Sequence, residues 1–561
     1  MKIKSGLHFL TQNHKLVFYA AWLLLNLVQS AATELLDDEA YYWVYSKFLD
    51  WGYFDHPPMV ALLIKAGAAL FPGSFGVRFF FAIMSTIGLR LIEKLLPAKD
   101  DLLFYCIALS VGLLQIGGII AVPDTPLLFF SVVFFYVYKK LLERPSFFLA
   151  VILGVAAAMM LYSKYHGVLV ILFTILSNTK LLARYHIYVA GFTALIIFAP
   201  HLYWQYANGF PSLQFHLLER NAPQYRISFT LDYIVGQLLL AGPVAGFLLL
   251  YAAFRKLPSD YFERALKFNL LGIYLFFLVS TFKGRVEANW TVPAFIPLIV
   301  LSFHYMLHRE NLRLWMRRLA AISIVLVCLA RLYTIVDVFP RSRFKEDEFH
   351  DNREWAFAIQ QQAKGLPVFF TDSYQRPSKY WFYTCTPAFS LNTVDYRRNN
   401  FNFWPMEETL IGKKVYAIYQ GKKQDYYKDS IQTAKGVYLG RTIDPYFSFS
   451  RIRIAPQSGL TAINGAASTL ITLYTDEATL QRIRSPYDTM HVWLTVYEKD
   501  SVIRNIPTSV RLGMIKSQKE VLPLAVNVDL PEGDYVTRFS ITSCIEGWPS
   551  INSSVIRLKV R

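Results

Sequence analysis

The chain has 561 residues, 54% of them hydrophobic and 16% aromatic, with 17% charged and a net charge of +17. A soluble chain carries about 25% charged residues, and the apolar residues here gather in runs of about 20, the length that crosses a bilayer as helix. A large soluble core is therefore excluded. Nucleic acid is a poor account of the basic excess, which collects in short loops between apolar runs, as the positive-inside rule expects.

In chain order, Lys2, Lys4 and Lys15 precede the first apolar run, Leu16 to Ala32, which reads as an uncleaved first helix. Eleven spans follow from hydropathy, at about 16–33, 76–96, 102–121, 123–139, 147–163, 165–179, 186–204, 229–254, 266–282, 288–307 and 317–338. Met59 to Phe71 is too short to cross comfortably and reads as an interfacial helix within the first loop. Lys and Arg recur in alternate loops, such as Arg90, Lys94 and Lys99, then Lys139, Lys140 and Arg144, which places the N-terminus inside. An odd number of spans then puts the tail outside.

The tail changes character after Val338. Leu366–Thr371 and Lys414–Tyr419 read as buried strands, and alternation from about Tyr446 gives strands at Leu470–Tyr474, His491–Tyr497, Leu522–Val528, Tyr535–Thr542 and Ser554–Val560. The expected architecture is a polytopic α-helical membrane domain over residues 1–338. An extracytoplasmic α/β domain over 339–440 and a β-rich, sandwich-like domain over 441–561 follow it. Cys106 and Cys328 lie in apolar runs; Cys385 and Cys544 lie in the tail, far apart, and an outside location would permit their pairing.

The topology delivers several polar groups to the outer face. The run Asp37-Asp38-Glu39 follows the first span, and three carboxylates beside a membrane helix are costly unless they face water or a substrate. Asp37 reads as a helix cap favoured by the dipole; Asp38 and Glu39, followed by Tyr41, Tyr42 and Trp43, read as acids that can serve a hydroxyl. Asp124, between Pro123 and Pro126, is either the cap of the next helix or a second site acid. His56, Lys164, Lys283 and Arg285 bring positive groups to the same face, where a phosphate is the natural partner, although each alone could snorkel to lipid headgroups. Tyr42, Tyr53, Asp55, Tyr165, Asn289 and Trp290 are candidate substrate contacts, and Arg220, in the loop Tyr206–Arg226, is a candidate for gating the acceptor. Asp55 beside His56 is placed either to orient the imidazole or to help hold a divalent cation, and the sequence does not require a metal.

The order Asp38-Glu39-Ala40-Tyr41-Tyr42-Trp43, then Trp51-Gly52-Tyr53-Phe54-Asp55-His56-Pro57-Pro58, resembles the first outer loop of the GT-C glycosyltransferases. The likeness is to the bacterial branch of the dolichyl-phosphate-mannose protein mannosyltransferase superfamily, which includes the lipid A aminoarabinose transferase. Asp124-Thr125-Pro126, Ser163-Lys164-Tyr165-His166 and Lys283-Gly284-Arg285 through Asn289-Trp290 keep the order of that group's later motifs, over roughly residues 10–340. The resemblance implies a GT-C fold, Asp38 as the catalytic acid of the Asp-Glu pair and a sugar on a polyprenyl phosphate as donor. It also implies a glycolipid, glycan or protein acceptor and a site on the outer side of the cytoplasmic membrane. His56 departs from the aminoarabinose transferase pattern, which has lysine before the proline. A transporter or flippase of a lipid-linked sugar is the alternative, and it would favour charges at mid-membrane.

Overall fold

The computed structural model describes residues 12–216, 225–338, 347–419, 426–484, 486–498 and 501–561. Contacts divide the chain into two units, residues 1–210 with 221–350, and residues 211–220 with 351–561.

The first unit is helical. Helices α1 (His14–Ala32), α2 (Asp37–Lys47), α3 (Met59–Leu70) and α4 (Gly73–Leu95) open it. Then come α5 (Asp101–Ser110), α6 (Gly112–Gly117), α7 (Asp124–Glu143), α8 (Phe147–Ser163), α9 (Gly167–Ser177) and α10 (Tyr185–Ala207). After these stand α11 (Ile227–Ala241), α12 (Gly246–Arg255), α13 (Tyr261–Ser280), a 3₁₀ segment Ala288–Ala294, α14 (Phe295–Leu307) and α15 (Glu310–Tyr333). Among the described residues five helical stretches are long and apolar enough to cross a membrane: α1, α4, α7, α10 and Ala288–Leu307. A sixth arises if the bent pair α11–α12 counts as one span.

Two expected spans are not single helices. Residues 102–121 divide into α5 and α6 because Val111 turns extended, at ψ 108°. Residues 229–254 divide at Gly242, whose φ of 146° lies outside ordinary helix and is open to glycine, and α11 and α12 meet at 94°. The short segment Met59–Leu70 is a helix, as its composition suggests. It packs tightly on α4, where a Cβ on Gly67 would fall 2.1 Å from the Gly76 carbonyl oxygen. Leu127, Phe135, Leu153, Leu270, Phe295 and Leu298 are among the side chains that fill the common core.

The second unit holds two sheets. In the first, β1 (Val368–Thr371) lies between β2 (Ala388–Leu391) and β3 (Val415–Tyr419), all parallel, with the hairpin of β4 (Asp429–Thr433) and β5 (Gly436–Ile443) antiparallel beyond β3. Helices α16 (Asn352–Ala363) and α17 (Gln375–Thr384) accompany it, and Trp355, Ile359, Phe370 and Ile418 lie in its core.

The second sheet has nine strands: β6 (Arg453–Pro456), β7 (Leu460–Ile463), β8 (Ala466–Tyr474), β9 (His491–Glu498), β10 (Ser501–Arg511), β11 (Lys519–Asn527), β12 (Gly533–Ile541), β13 (Ser550–Ile551) and β14 (Ile556–Val560). Its order β10-β9-β12-β14-β7-β8-β11 includes one parallel pair, β14 with β7. The end strands approach each other, since Ala525 N–H donates to Ser509 Oγ at 2.9 Å. The expected sandwich is therefore one continuous sheet folded toward itself around Leu494, Phe539, Leu558 and Ile471.

Candidate active site

The acidic run opens α2, where three carboxylates in the first turn complement the helix dipole. Successive helical residues point about 100° apart, so the three diverge. Asp38 is exposed, Asp37 is half-buried, and Glu39 is fully buried. Asp37 N–H donates to Glu348 Oε2 at 3.3 Å.

Glu39 departs from the expectation of a reacting acid. Arg78, on α4, donates from Nε to Oε1 at 2.7 Å and from Nη2 to Oε2 at 2.5 Å. Oε2 also accepts Leu36 N–H at 2.9 Å, and Oε1 accepts Ala121 N–H at 2.7 Å. With both oxygens engaged and no exposed surface, this carboxylate is a strut.

The remainder of the segment between α1 and α3 is rich in packed aromatic rings. Tyr45 donates its hydroxyl to Asp55 Oδ1, and the Tyr45 and Tyr53 rings stack with centroids 4.0 Å apart. Tyr53 donates its hydroxyl to the Tyr45 and Phe48 carbonyl oxygens, each at 3.1 Å. Burial pushes the Tyr45 phenol well above its usual range, and the neighbouring Asp55 carboxylate adds to the effect. Tyr42 Oη lies 3.1 Å from His56 Nε2. A three-residue cluster of potential metal ligands among the described residues is Asp337, Asp347 and His350, which includes neither Asp55 nor His56.

Asp124 begins α7 and receives two donors from distant elements. Lys164, the residue after α8, donates Nζ to Oδ1 at 2.8 Å, and Asn289 Nδ2 donates to Oδ2 at 2.9 Å. Both members of the ion pair are less than a tenth exposed. The structure thus brings together Asp124, Lys164 and Asn289, three residues expected separately.

Tyr165 continues the network. His201 Nδ1 lies 2.7 Å from the Trp51 carbonyl oxygen, which can only accept, so Nδ1 carries hydrogen. In the neutral ring Nε2 then accepts the Tyr165 hydroxyl at 3.1 Å. Gln205 Nε2 donates to the same hydroxyl oxygen at 3.0 Å, and Trp204 Nε1 donates to Asp50 Oδ2 at 2.7 Å. Arg78 and His201 were not apparent as site residues from sequence. The available signal was a charged or polar side chain inside an apolar run.

Lys283 and Arg285 are exposed, and Arg285 Nε lies 3.6 Å from Glu287 Oε1 with both side chains open to solvent. Trp290 packs against His166 and Phe277, with centroids 5.3 and 5.7 Å away. Arg220 lies outside the described residues.

An opposite pole lies at the other end of α4. Glu93, 15 residues and about 22 Å along the helix from Arg78, accepts from Lys15 at 2.6 Å and Tyr19 at 2.5 Å. Arg313 meets Asp100 nearby in sequence, at 3.3 Å.

Residues 55–204 match the family described as dolichyl-phosphate-mannose-protein mannosyltransferase. A lipid A galacturonosyltransferase, RgtD of Rhizobium johnstonii, is 22% identical over 285 residues, which cover 48% of this chain and 60% of the relative. The match thus spans about three-fifths of that relative's length. The fold resembles ArnT from Cupriavidus metallidurans in its apo state, at a TM-score of 0.56 and 13% identity over 77% of this chain and 98% of that one. It also resembles the same protein bound to undecaprenyl phosphate, at a TM-score of 0.54 and 14% identity over 76% and 98% of the two chains.

Proposed function

Taking the chain as a member of the GT-C superfamily, similar to its bacterial ArnT-like branch, we propose that it is an inverting glycosyltransferase. It moves a sugar from a polyprenyl phosphate to an acceptor hydroxyl outside the cytoplasmic membrane. The observation that carries this reading is an exposed carboxylate, Asp38, mounted on a buried frame that reaches the segment leading to Asp124, Lys164 and Asn289.

In the proposed step, the acceptor oxygen attacks the anomeric carbon from the face opposite the lipid phosphate, while Asp38 takes its proton. The bond from that carbon to the phosphate oxygen breaks, and its electron pair leaves with the polyprenyl phosphate. Lys164, Lys283, Arg285 and His56 offset the charge that develops there. Asp124 holds Lys164, and Glu39 holds the turn from which Asp38 projects. Tyr42, Tyr53, Asp55, Tyr165, Asn289 and Trp290 shape the walls. The undecaprenyl phosphate in the Cupriavidus complex supports the donor class, and the lipid A in the name of the Rhizobium relative supports a glycolipid acceptor.

Eleven crossings follow if α5–α6, α8, α9, α13 and α15 each cross, together with the five long stretches and the bent pair. The basic pole around Lys15, Arg90, Lys94 and Lys139 then faces the cytoplasm, and the site faces the periplasm.

Mass spectrometry of envelope lipids and glycans, from cells with and without the gene, tests the function. A difference of one sugar on an acceptor supports it and names both substrates. An unchanged envelope, with flux of a lipid-linked sugar through proteoliposomes, would replace transfer with transport.

A further inference from the structure

Arg78 stands alone as a charge in the apolar run Val77-Arg78-Phe79-Phe80-Phe81-Ala82, in the second turn of α4. Its side chain is 1% exposed. Besides the fork to Glu39, Nη1 donates to Thr33 Oγ1 at 2.6 Å and to the Thr33 carbonyl oxygen at 2.9 Å. Nη2 donates to the Glu34 carbonyl oxygen at 2.7 Å. Thr33 and Glu34 follow the last turn of α1, where a helix leaves carbonyls without helical partners.

One ion pair therefore joins four stretches of chain. Arg78 holds the exit of α1, Glu39 caps the start of α2 through Leu36 N–H, and α4 carries the guanidinium. The fourth stretch enters through Ala121 N–H, three residues before Asp124. Glu39 also fixes the rotation of α2. With its side chain turned inward to Arg78, the preceding residue, Asp38, is turned to the exposed side.

We propose that Arg78 is a positioning residue for the transfer step: through Glu39 it sets both the direction of Asp38 and its separation from Asp124. The inference rests on the assignment of Asp38 as the base. Arginine suits the task because its planar fork engages two carboxylate oxygens and two carbonyls at once. A lysine ammonium is a single point that cannot reproduce the fork.

A first test replaces the ion pair by apolar residues, as Glu39→Leu with Arg78→Met, a change that buried ion pairs often tolerate in stability. The full-length variant should remain folded in detergent, with the donor KM within about threefold of the parent. Its kcat should fall about 100-fold, the order expected from a misplacement of about 1 Å. Arg78→Lys, which keeps the charge, should show the same split. A folded double variant with kcat near that of the parent overturns the proposal. So does loss of the fold in both variants, since the pair would then hold the bundle rather than the geometry.

A second readout separates this proposal from the glycosyltransferase reading. In a chain with Cys106, Cys328, Cys385 and Cys544 replaced by serine, Asp38→Cys should react with a charged thiol reagent. Arg78→Lys should change that rate about tenfold by rotating α2. An altered rate with no sugar transfer by the parent chain would retain the positioning and remove the activity. An unaltered rate would remove the positioning.

Discussion

The Lys164 ammonium lies 2.8 Å from the Asp124 carboxylate, and both side chains are less than a tenth exposed. Asn289 occupies the other carboxylate oxygen at 2.9 Å. Such a pair gains little over an apolar replacement, but removal of one partner leaves an uncompensated buried charge and costs about 3–5 kcal/mol. Lys164→Met is therefore expected to lower thermal stability in detergent markedly. Lys164→Met combined with Asp124→Asn should recover much of the loss. Equal melting of the single and double variants would show that the two groups are not coupled.

Asp38 is exposed, whereas Glu39 is buried against Arg78. Asp38→Asn keeps size and helix position while it removes the carboxylate proposed as the base. Melting should stay within about 0.5 kcal/mol of the parent, as for ordinary surface changes, and transfer should fall about 10²–10⁴-fold. Glu39→Gln should differ in kind, with a stability loss from weakening the pair to Arg78. Comparison of the two variants by turnover and by melting checks the division between base and strut.

Asp38, Asp124 and Lys164 are legible in the sequence because polar groups at the ends of apolar runs demand an explanation. Arg78 is not, because its partner Glu39 is 39 residues away and a lone charge among phenylalanines does not state which way it faces. His201 is hidden in the same way, since its backbone partner Trp51 lies 150 residues distant. Hydropathy located nearly every helical stretch, but it averages over residues and cannot register Val111 turning extended or Gly242 at φ 146°. In the tail, the apolar alternation of β9, β11 and β12 was visible. Strand β10 is not legible there, because Arg504, Asn505 and Pro507 break the pattern although the strand pairs with β9.

The Tyr45–Asp55 bond fixes the loop that carries His56, and both groups are buried. Tyr45→Phe keeps the ring stack on Tyr53 and removes only the hydroxyl. A buried carboxylate deprived of a donor costs about 1–3 kcal/mol. Melting should fall by that amount, and the Tyr42–His56 contact should loosen with it. Proton exchange or chemical modification of His56 should then quicken relative to the parent. An unchanged His56 reactivity would show that the two tyrosine contacts hold the loop independently.

Asp476 caps the short helix Glu477–Arg482, with Thr479 N–H donating to Oδ1 at 2.7 Å. Partial burial alone would raise the carboxyl's pKa. The Thr479 amide and hydroxyl, with Arg451 and Arg482, outweigh this and hold it below the usual carboxylate value. A depressed folded value means that the group's stabilising contribution is present above the unfolded value, about 4, and is lost as pH falls through the folded one. Asp476→Ala should cost about 1 kcal/mol at neutral pH, as for other caps. Hydrogen exchange of the helix amides in the full chain reads this locally. The gap between parent and Asp476→Ala should close as pH falls below the folded value, whereas Asp476→Asn, a neutral cap, should keep its protection across the range. A gap of constant size at every pH would mean that the cap acts through shape alone and not through its charge.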